Sequence, residues 1–263
     1  MINYNLHTHT FRCKHATGDA VDFAKKAVAG GLTILGISDH TPLPDGRWSE
    51  IRMSMDQLDS YDAAVEEARA QYPELTILKG MECEWAPEFK NFYQDELLGK
   101  RGYDYLIGAG HYFKYLGTWF SSFTSLHLPK ALNVYAKQLE SMMATGLFNF
   151  IAHPDLFGCT FEKWDKNLQA ASLDIINASL ATNTPLEINA NGYRRQDFSP
   201  GPSRKQPYPW EPFWEFAGSH NIKAIVGSDA HHPSELLTKL DLCETLAKKV
   251  GVKLLNPRDI IIF

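Results

Sequence analysis

The chain has no excess of positive charge, no CxxC pair and no long apolar run, and each absence narrows its function. Lysine and arginine number 26 against 31 aspartates and glutamates, which gives a net charge of −5 and a pI near 6.1. That balance argues against a general surface for nucleic acid, so any phosphate recognition has to be local. Cys13, Cys83, Cys159 and Cys243 are scattered, as suits free thiols in a reducing cytoplasm. No apolar stretch approaches the roughly 18 residues of a membrane span, and the N-terminus carries no basic-then-apolar leader pattern. Repeats, low-complexity segments and linkers are missing too, so a single domain is expected over residues 1–263.

What is present suits an α/β barrel. The 263 residues are 44% hydrophobic, and barrels of this kind run to about 250 residues as one domain. Short β-rich runs alternate with helical patterns. The first run, Ile2 to Leu6, leads into His7-Thr8-His9. In a strand, side chains two apart share a face, so His7 and His9 project together with Cα atoms about 7 Å apart. Two imidazoles at that spacing can meet one metal ion.

Later runs end in the same way. Thr33–Ile37 leads to Ser38-Asp39-His40, Leu75–Met81 to Glu82-Cys83-Glu84, and Tyr103–Ala109 to Gly110-His111. Phe148–Ala152 leads to His153-Pro154-Asp155, Pro185–Ile188 to Asn189, and Ile222–Val226 to Gly227-Ser228-Asp229-Ala230-His231. Helices are expected over 19–29, behind a capping box at Ser54–Gln57, and over 129–144, 168–182, 213–217 and 234–249. Segments 112–126 and 196–212 read as loops. Asn191-Gly192 reads as a turn, and the chain is expected to leave the third strand before Pro87, soon after Glu82. Alternation of this kind means parallel strands joined by right-handed crossovers. Seven strands with functional groups at their C-terminal ends point to a barrel. An open doubly wound sheet, the alternative, gathers its polar groups at one switch point.

Seven of the ten histidines lie at or just after these ends: His7, His9, His15, His40, His111, His153 and His231. Each alone is more often a hydrogen-bonded structural residue. Gathered in one barrel mouth with Asp39, Glu82, Glu84, Asp155 and Asp229, they form a donor set suited to zinc, iron or manganese. Cys13, between His9 and His15, reads as a small buried thiol rather than a ligand.

The motifs His7-Thr8-His9, Cys13-Lys14-His15, Ser38-Asp39-His40, Gly80-Met81-Glu82, Gly110-His111, Ala152-His153-Pro154-Asp155 and Gly227-Ser228-Asp229-Ala230-His231 resemble the PHP (polymerase and histidinol phosphatase) superfamily, in its order, over residues 4–233. The resemblance implies a distorted seven-stranded (β/α) TIM-like barrel with three divalent transition-metal ions, zinc before iron or manganese. It implies His7, His9, Glu82 and Asp229 at one ion. His15, His40 and His231 fall to a second, and His111 and His153 to a third, with Glu82 bridging. Residues 146–156, Leu186-Glu187-Ile188-Asn189 and Gly192-Tyr193-Arg194 resemble the histidinol-phosphate phosphatases. That implies hydrolysis of L-histidinol phosphate in histidine synthesis.

Clustered divalent ions support a phosphatase on chemical grounds, because they lower the pKa of bound water and neutralise phosphate oxygens. Attack by a metal-bridging hydroxide is expected. Glu82 then sets the metal spacing, Asp39 orients its neighbour His40, and Asp229 binds metal and passes a proton. Arg194 and Arg195 are candidates to grip phosphate in a two-pronged geometry, and the resemblance favours Arg194. The basic residue that the family places after His-Pro-Asp is missing here, and Lys163 is the nearest. The partner is a small phosphate ester, with no nucleic acid and no membrane; the sequence leaves the oligomeric state open. Competing readings are a phosphatase or phosphodiesterase for a sugar phosphate or nucleotide, a non-catalytic module supporting a polymerase, and an amidohydrolase-like barrel. The last uses a bridging lysine where this chain has Glu82.

Overall fold

The computed structural model describes residues 2–128, 130–198 and 207–263. Strands β1 (Tyr4–Asn5), β2 (Ile34–Ile37), β3 (Thr76–Glu84) and β4 (Tyr105–Ala109) come first. An antiparallel hairpin, β5 (Tyr112–Tyr115) and β6 (Thr118–Ser121), follows. Strands β7 (Phe150–Ile151), β8 (Leu186–Asn189), β9 (Lys223–Gly227) and β10 (Lys253–Leu254) complete the set. The main sheet is parallel and has eight strands in the order β1-β2-β3-β4-β7-β8-β9-β10. The sequence pattern gives seven; the eighth is β10, which runs into Leu255-Asn256-Pro257 with no histidine or carboxylate at its end to mark it. The sheet curls back on itself. Past their ends, the first and ninth strands meet in a bridge between Thr8 and Ala230, with His9 N donating to the Ala230 carbonyl at 2.9 Å.

The helices are α1 (Ala20–Ala29), α2 (Leu58–Gln71), the single turn α3 (Ser122–Ser125), α4 (Ala131–Met143), α5 (Lys166–Thr182), α6 (Asn191–Phe198), α7 (Glu211–Gly218) and α8 (Leu240–Val250). Helices α3 and α6 border the mouth, and the others cover the outer face. Asp19 and Asp22 form a capping box on α1, and Gln57 Oε1 accepts from Ser54 N at 2.9 Å ahead of α2. The i, i+3, i+4 stripe of α1 buries Ala20, Phe23, Ala24 and Ala27, whereas Val28 is exposed. Inside the curl lies a separate apolar cluster of Tyr4, Leu6, Ile34, Leu78, Tyr105, Ile107, Phe150, Ile225 and Ile261. The inward face is therefore packed below and polar above. Among the described residues no helix is long and apolar enough to cross a membrane.

Two segments differ from their sequence reading. Residues 112–126 form the hairpin and α3 rather than a loop. Asn191-Gly192 is not a turn: α6 begins there, with the Asn189 side chain accepting from Asn191 N at 2.9 Å. Gly192 serves close packing, because a Cβ on it would lie 1.7 Å from the Tyr208 carbonyl oxygen. Part of the expected loop 196–212 lies outside the described residues.

Candidate metal centre

Strand β3 sets the middle of the site. Its two-residue period turns Leu78, Glu82 and Glu84 toward the interior, and both glutamates are buried. The strand runs on through Glu84, so Glu84 has not left the sheet as the nearby Pro87 suggested. Glu82 is the hub. Its Oε1 lies 3.3 Å from His7 Nε2, 3.4 Å from His111 Nε2 and 3.1 Å from His153 Nε2. Its Oε2 lies 2.8 Å from His40 Nδ1 and 3.6 Å from His9 Nε2. Asp229, at φ 50° just past β9, places Oδ1 3.0 Å from His9 Nε2 and 3.7 Å from His7 Nε2. Beyond them His231 and His15 face each other, Nε2 to Nε2, at 3.1 Å.

Most of these rings are held from behind. His7 Nδ1 lies 2.8 Å from Glu187 Oε1, and His111 Nδ1 3.0 Å from Glu84 Oε2. His15 Nδ1 meets the Cys13 carbonyl at 2.8 Å, and His231 Nδ1 the Asp229 carbonyl at 3.0 Å. An acceptor at Nδ1 fixes the tautomer and leaves the Nε2 lone pair pointing inward, the usual support of a metal-ligating histidine. Asp39 plays a milder part. Its Oδ1 is 3.6 Å from His9 Nδ1 and accepts from His40 N at 2.8 Å, while Oδ2 accepts from Thr10 N at 3.1 Å.

The electrostatics are those of a crowded donor set. Burial disfavours the charged form of every member. At His9 the nearby Asp229 and Asp39 outweigh it and raise the pKa to about 9. His7 is raised well above its ordinary value against its own desolvation, by Glu187, Glu82 and Asp229. Desolvation and the neighbouring His9 lower His231 to about 3 and His40 well below the ordinary range. Glu82 and Asp229 are held ionised against desolvation, first by His111 and by His7 respectively.

The residues fit divalent metal. His7 Nε2, His9 Nε2, His40 Nδ1 and Glu82 Oε2 are buried, and their close contacts with one another and with Asp229 lack the direction of a hydrogen bond. His7, His9 and Glu82 bring three donor atoms within 4.8 Å of one another, as do His9, His40 and His231, and His40, Glu82 and His111. Two imidazoles on one tetrahedral zinc hold their nitrogens about 3.3 Å apart. The observed contacts of 3.1 Å for His15–His231 and His111–His153 are close to that. Cys13 is buried and falls in two further groupings, with His15 and His231 and with His9 and Asp39.

A cavity of about 210 Å³ opens over this cluster. His15, His40, His111, His153, His231 and Asp229 form its floor; Arg195, Tyr112, Phe123, Tyr208, Asn191, Ile51 and Arg52 complete its wall. The two adjacent arginines part company. Arg194 is buried and turns back, with Nη2 donating to the carbonyls of Ser228 at 2.6 Å and Asp229 at 3.0 Å. Arg195 lies on the wall, its guanidinium carbon 4.9 Å from the Phe123 ring. Asp155 also faces away, its Oδ2 accepting from Trp210 N at 2.5 Å and Trp214 Nε1 at 3.0 Å. Lys163 is exposed and does not line the cavity. Two buried residues received no role from the sequence: Glu187, quoted only within Leu186-Glu187-Ile188-Asn189, and Arg52. Glu187 precedes the strand-end asparagine by two, so the same-face rule that paired His7 with His9 would have found it. Arg52 sits in an irregular segment and left no pattern.

A parallel α/β sheet that delivers imidazoles and carboxylates to one edge defines a barrel-like protein with a metal site at the C-terminal ends of its strands. The chain belongs to the PHP domain family, whose model matches residues 5–191. It is 29% identical over 240 residues to a probable histidinol-phosphatase of Deinococcus radiodurans, spanning 88% of this chain and 86% of that protein. The Listeria monocytogenes hisK structure superposes with a TM-score of 0.73 at 17% identity, covering 91% of this chain and 99% of that one. A Lactococcus lactis histidinol phosphate phosphatase, solved with zinc, L-histidinol and phosphate, gives a TM-score of 0.72 at 17% identity, covering 96% and 95%. At that identity the two structures speak for the fold.

Proposed function

We propose that the protein is a metal-dependent phosphomonoesterase that hydrolyses L-histidinol phosphate to L-histidinol and phosphate in the cytoplasm. The observation that carries this reading is the convergence of six imidazoles on Glu82 and Asp229, with His15 facing His231, beneath a cavity walled by Arg195. Membership of the PHP family and the named activity of the Deinococcus relative support it, as does the zinc, histidinol and phosphate in the Lactococcus structure.

Three divalent ions, zinc before iron or manganese, would be held in the groups that the family resemblance implies. His7, His9, Glu82 and Asp229 take one, His15, His40 and His231 another, and His111 and His153 a third with Glu82 shared. When bound, such ions supply an activated water near neutral pH and neutralise phosphate charge. The protein's own part is positioning. Glu82 spaces the donor groups, and Asp39 holds the backbone of its neighbour His40. Asp229 Oδ2 sits 3.0 Å from the Asn191 amide at the cavity wall, where a carboxylate can bind metal and hold a proton for transfer. Arg195 is our choice for the phosphate oxygens left free, since it lines the cavity, whereas Arg194 Nη2 turns back to two backbone carbonyls.

A second reading, a PHP phosphatase for another small phosphate ester such as a sugar phosphate or nucleotide, rests on the absence of a basic residue at Phe157-Gly158-Cys159. Steady-state kinetics on L-histidinol phosphate beside a panel of phosphomonoesters, with metal content measured on the same sample, separates the two. A clear preference in kcat/KM for histidinol phosphate is expected. Equal or better turnover of a sugar phosphate or nucleotide transfers the assignment to the second reading.

A further inference from the structure

Glu187 is fully buried, carries a carboxylate, and is assigned no part in the proposed chemistry. Its Oε1 lies 2.8 Å from His7 Nδ1. Its Oε2 accepts from the backbone N of His153 at 3.2 Å and from Asn189 Nδ2 at 2.8 Å. The two histidines it touches point their Nε2 atoms at the same oxygen, Glu82 Oε1, at 3.3 and 3.1 Å. We infer that Glu187 is a positioning residue that aligns two donor groups at once, by fixing the ring of His7 and the backbone of His153 onto Glu82.

Two further observations bear on this. His153 has a φ of 28°, a conformation costly for a residue with a side chain, and the hydrogen bond from its N to Glu187 helps to hold it. At Gly227 a Cβ would lie 1.8 Å from Glu187 Oε1 and 3.0 Å from His7 Cβ. The glycine of Gly227-Ser228-Asp229 thus leaves the space that the carboxylate occupies. The electrostatic logic is equally specific. Three donors surround Glu187: His7 Nδ1–H, His153 N–H and Asn189 Nδ2–H. A carboxylate accepts from all of them. A glutamine of the same shape has one oxygen and must turn its NH2 toward a donor, so it cannot hold both histidines.

The inference rests on the metal reading above, and its test reads metal rather than turnover. Cobalt(II) is titrated into metal-stripped wild type and Glu187→Gln against a competing chelator, with the visible absorption of bound cobalt recorded. We expect Glu187→Gln to keep its circular dichroism, to bind at least part of its cobalt about 10–100-fold more weakly, as outer partners of ligating histidines do when lost, and to change the cobalt spectrum. Cobalt affinity and spectrum equal to wild type, even with a lowered melting temperature, would make Glu187 a merely structural carboxylate and overturn the inference. If Glu187→Gln fails to fold, Glu187→Asp, which keeps the charge but withdraws it, decides by the same criteria. Wild-type protein that takes up no cobalt overturns the metal reading itself.

Discussion

Arg52 and Glu84 form an ion pair closed off from solvent, with Nη2 3.0 Å from Oε2 and side chains 1% and 0% exposed. The same Oε2 lies 3.0 Å from His111 Nδ1, and Oε1 accepts from Tyr112 N at 2.9 Å. The segment after β2 is thereby fastened, through one carboxylate, to a candidate metal ligand. Removing one partner leaves an uncompensated buried charge, so Arg52→Ala is expected to lower unfolding free energy by about 3–5 kcal/mol. Urea unfolding of the two proteins at one pH measures it, and a loss below about 1 kcal/mol would refute the pairing as a source of stability.

Glu82→Gln removes the charge at the hub and is expected to lower kcat on the order of 100-fold or more. Glu84→Gln loses its grip on His111 and leaves Arg52 unpaired, so melting temperature and bound metal should both fall, with a smaller drop in turnover. Equal losses of kcat with full metal content in both variants would show that Glu84 acts on the reaction directly.

Purified protein should carry more than one equivalent of transition metal, and a chelator should abolish phosphatase activity. Elemental analysis before and after chelation, followed by re-addition of zinc, iron or manganese, is the measurement. Undiminished turnover in metal-stripped protein removes the mechanism.

Arg195→Ala should reduce kcat/KM roughly 10–100-fold, as expected when charge-assisted contacts worth about 1.5–3 kcal/mol are lost. Arg195→Lys should recover part, because an ammonium cannot copy the planar fork. Arg194→Ala strips two carbonyls beside Asp229 of their donor, so its effect should appear first in melting temperature and metal retention. Wild-type kinetics for Arg195→Ala alongside a purely kinetic defect in Arg194→Ala would reverse the assignment.

Burial raises the Asp155 carboxyl from its ordinary 3.8 to about 7, against the opposing hydrogen bonds from Trp210 and Trp214. The folded state therefore holds a proton that the unfolded state releases near pH 4. Stability from this group is complete below that pH and is lost as pH rises toward 7. Asp155→Asn should abolish that slope and be more stable than wild type at pH 8. Superimposable melting temperatures from pH 4 to 8 in the two proteins would count against it.

The sequence made the centre of the molecule legible and its surroundings less so. Strands ending in His7-Thr8-His9, Asp39-His40 and His153 were readable because apolar runs and polar stops alternate sharply there. The positions of β10 and of the hairpin β5–β6 were not, because no histidine or carboxylate marks the end of Lys253–Leu254 and Tyr112 to Ser121 mixes aromatic and polar residues without a single buried face. Arg194 and Arg195 could not be told apart by spacing. Their directions depend on α6 starting at Asn191, and that start is set by a side-chain bond from Asn189 and by the approach of the distant Tyr208 carbonyl.

Strand β10 has a consequence for how the chain is made. It pairs with β9, Leu255 supplies the carbonyl that accepts from the Tyr4 hydroxyl at 3.0 Å, and Ile261 enters the inner cluster beside Tyr4. These contacts join the beginning of the sequence to residues translated some 250 positions later. The lower end of the interior is therefore complete only once residues 253–261 are in place. Ribosome-stalled chains arrested before residue 253 should accordingly remain sensitive to protease at β1, where released protein resists.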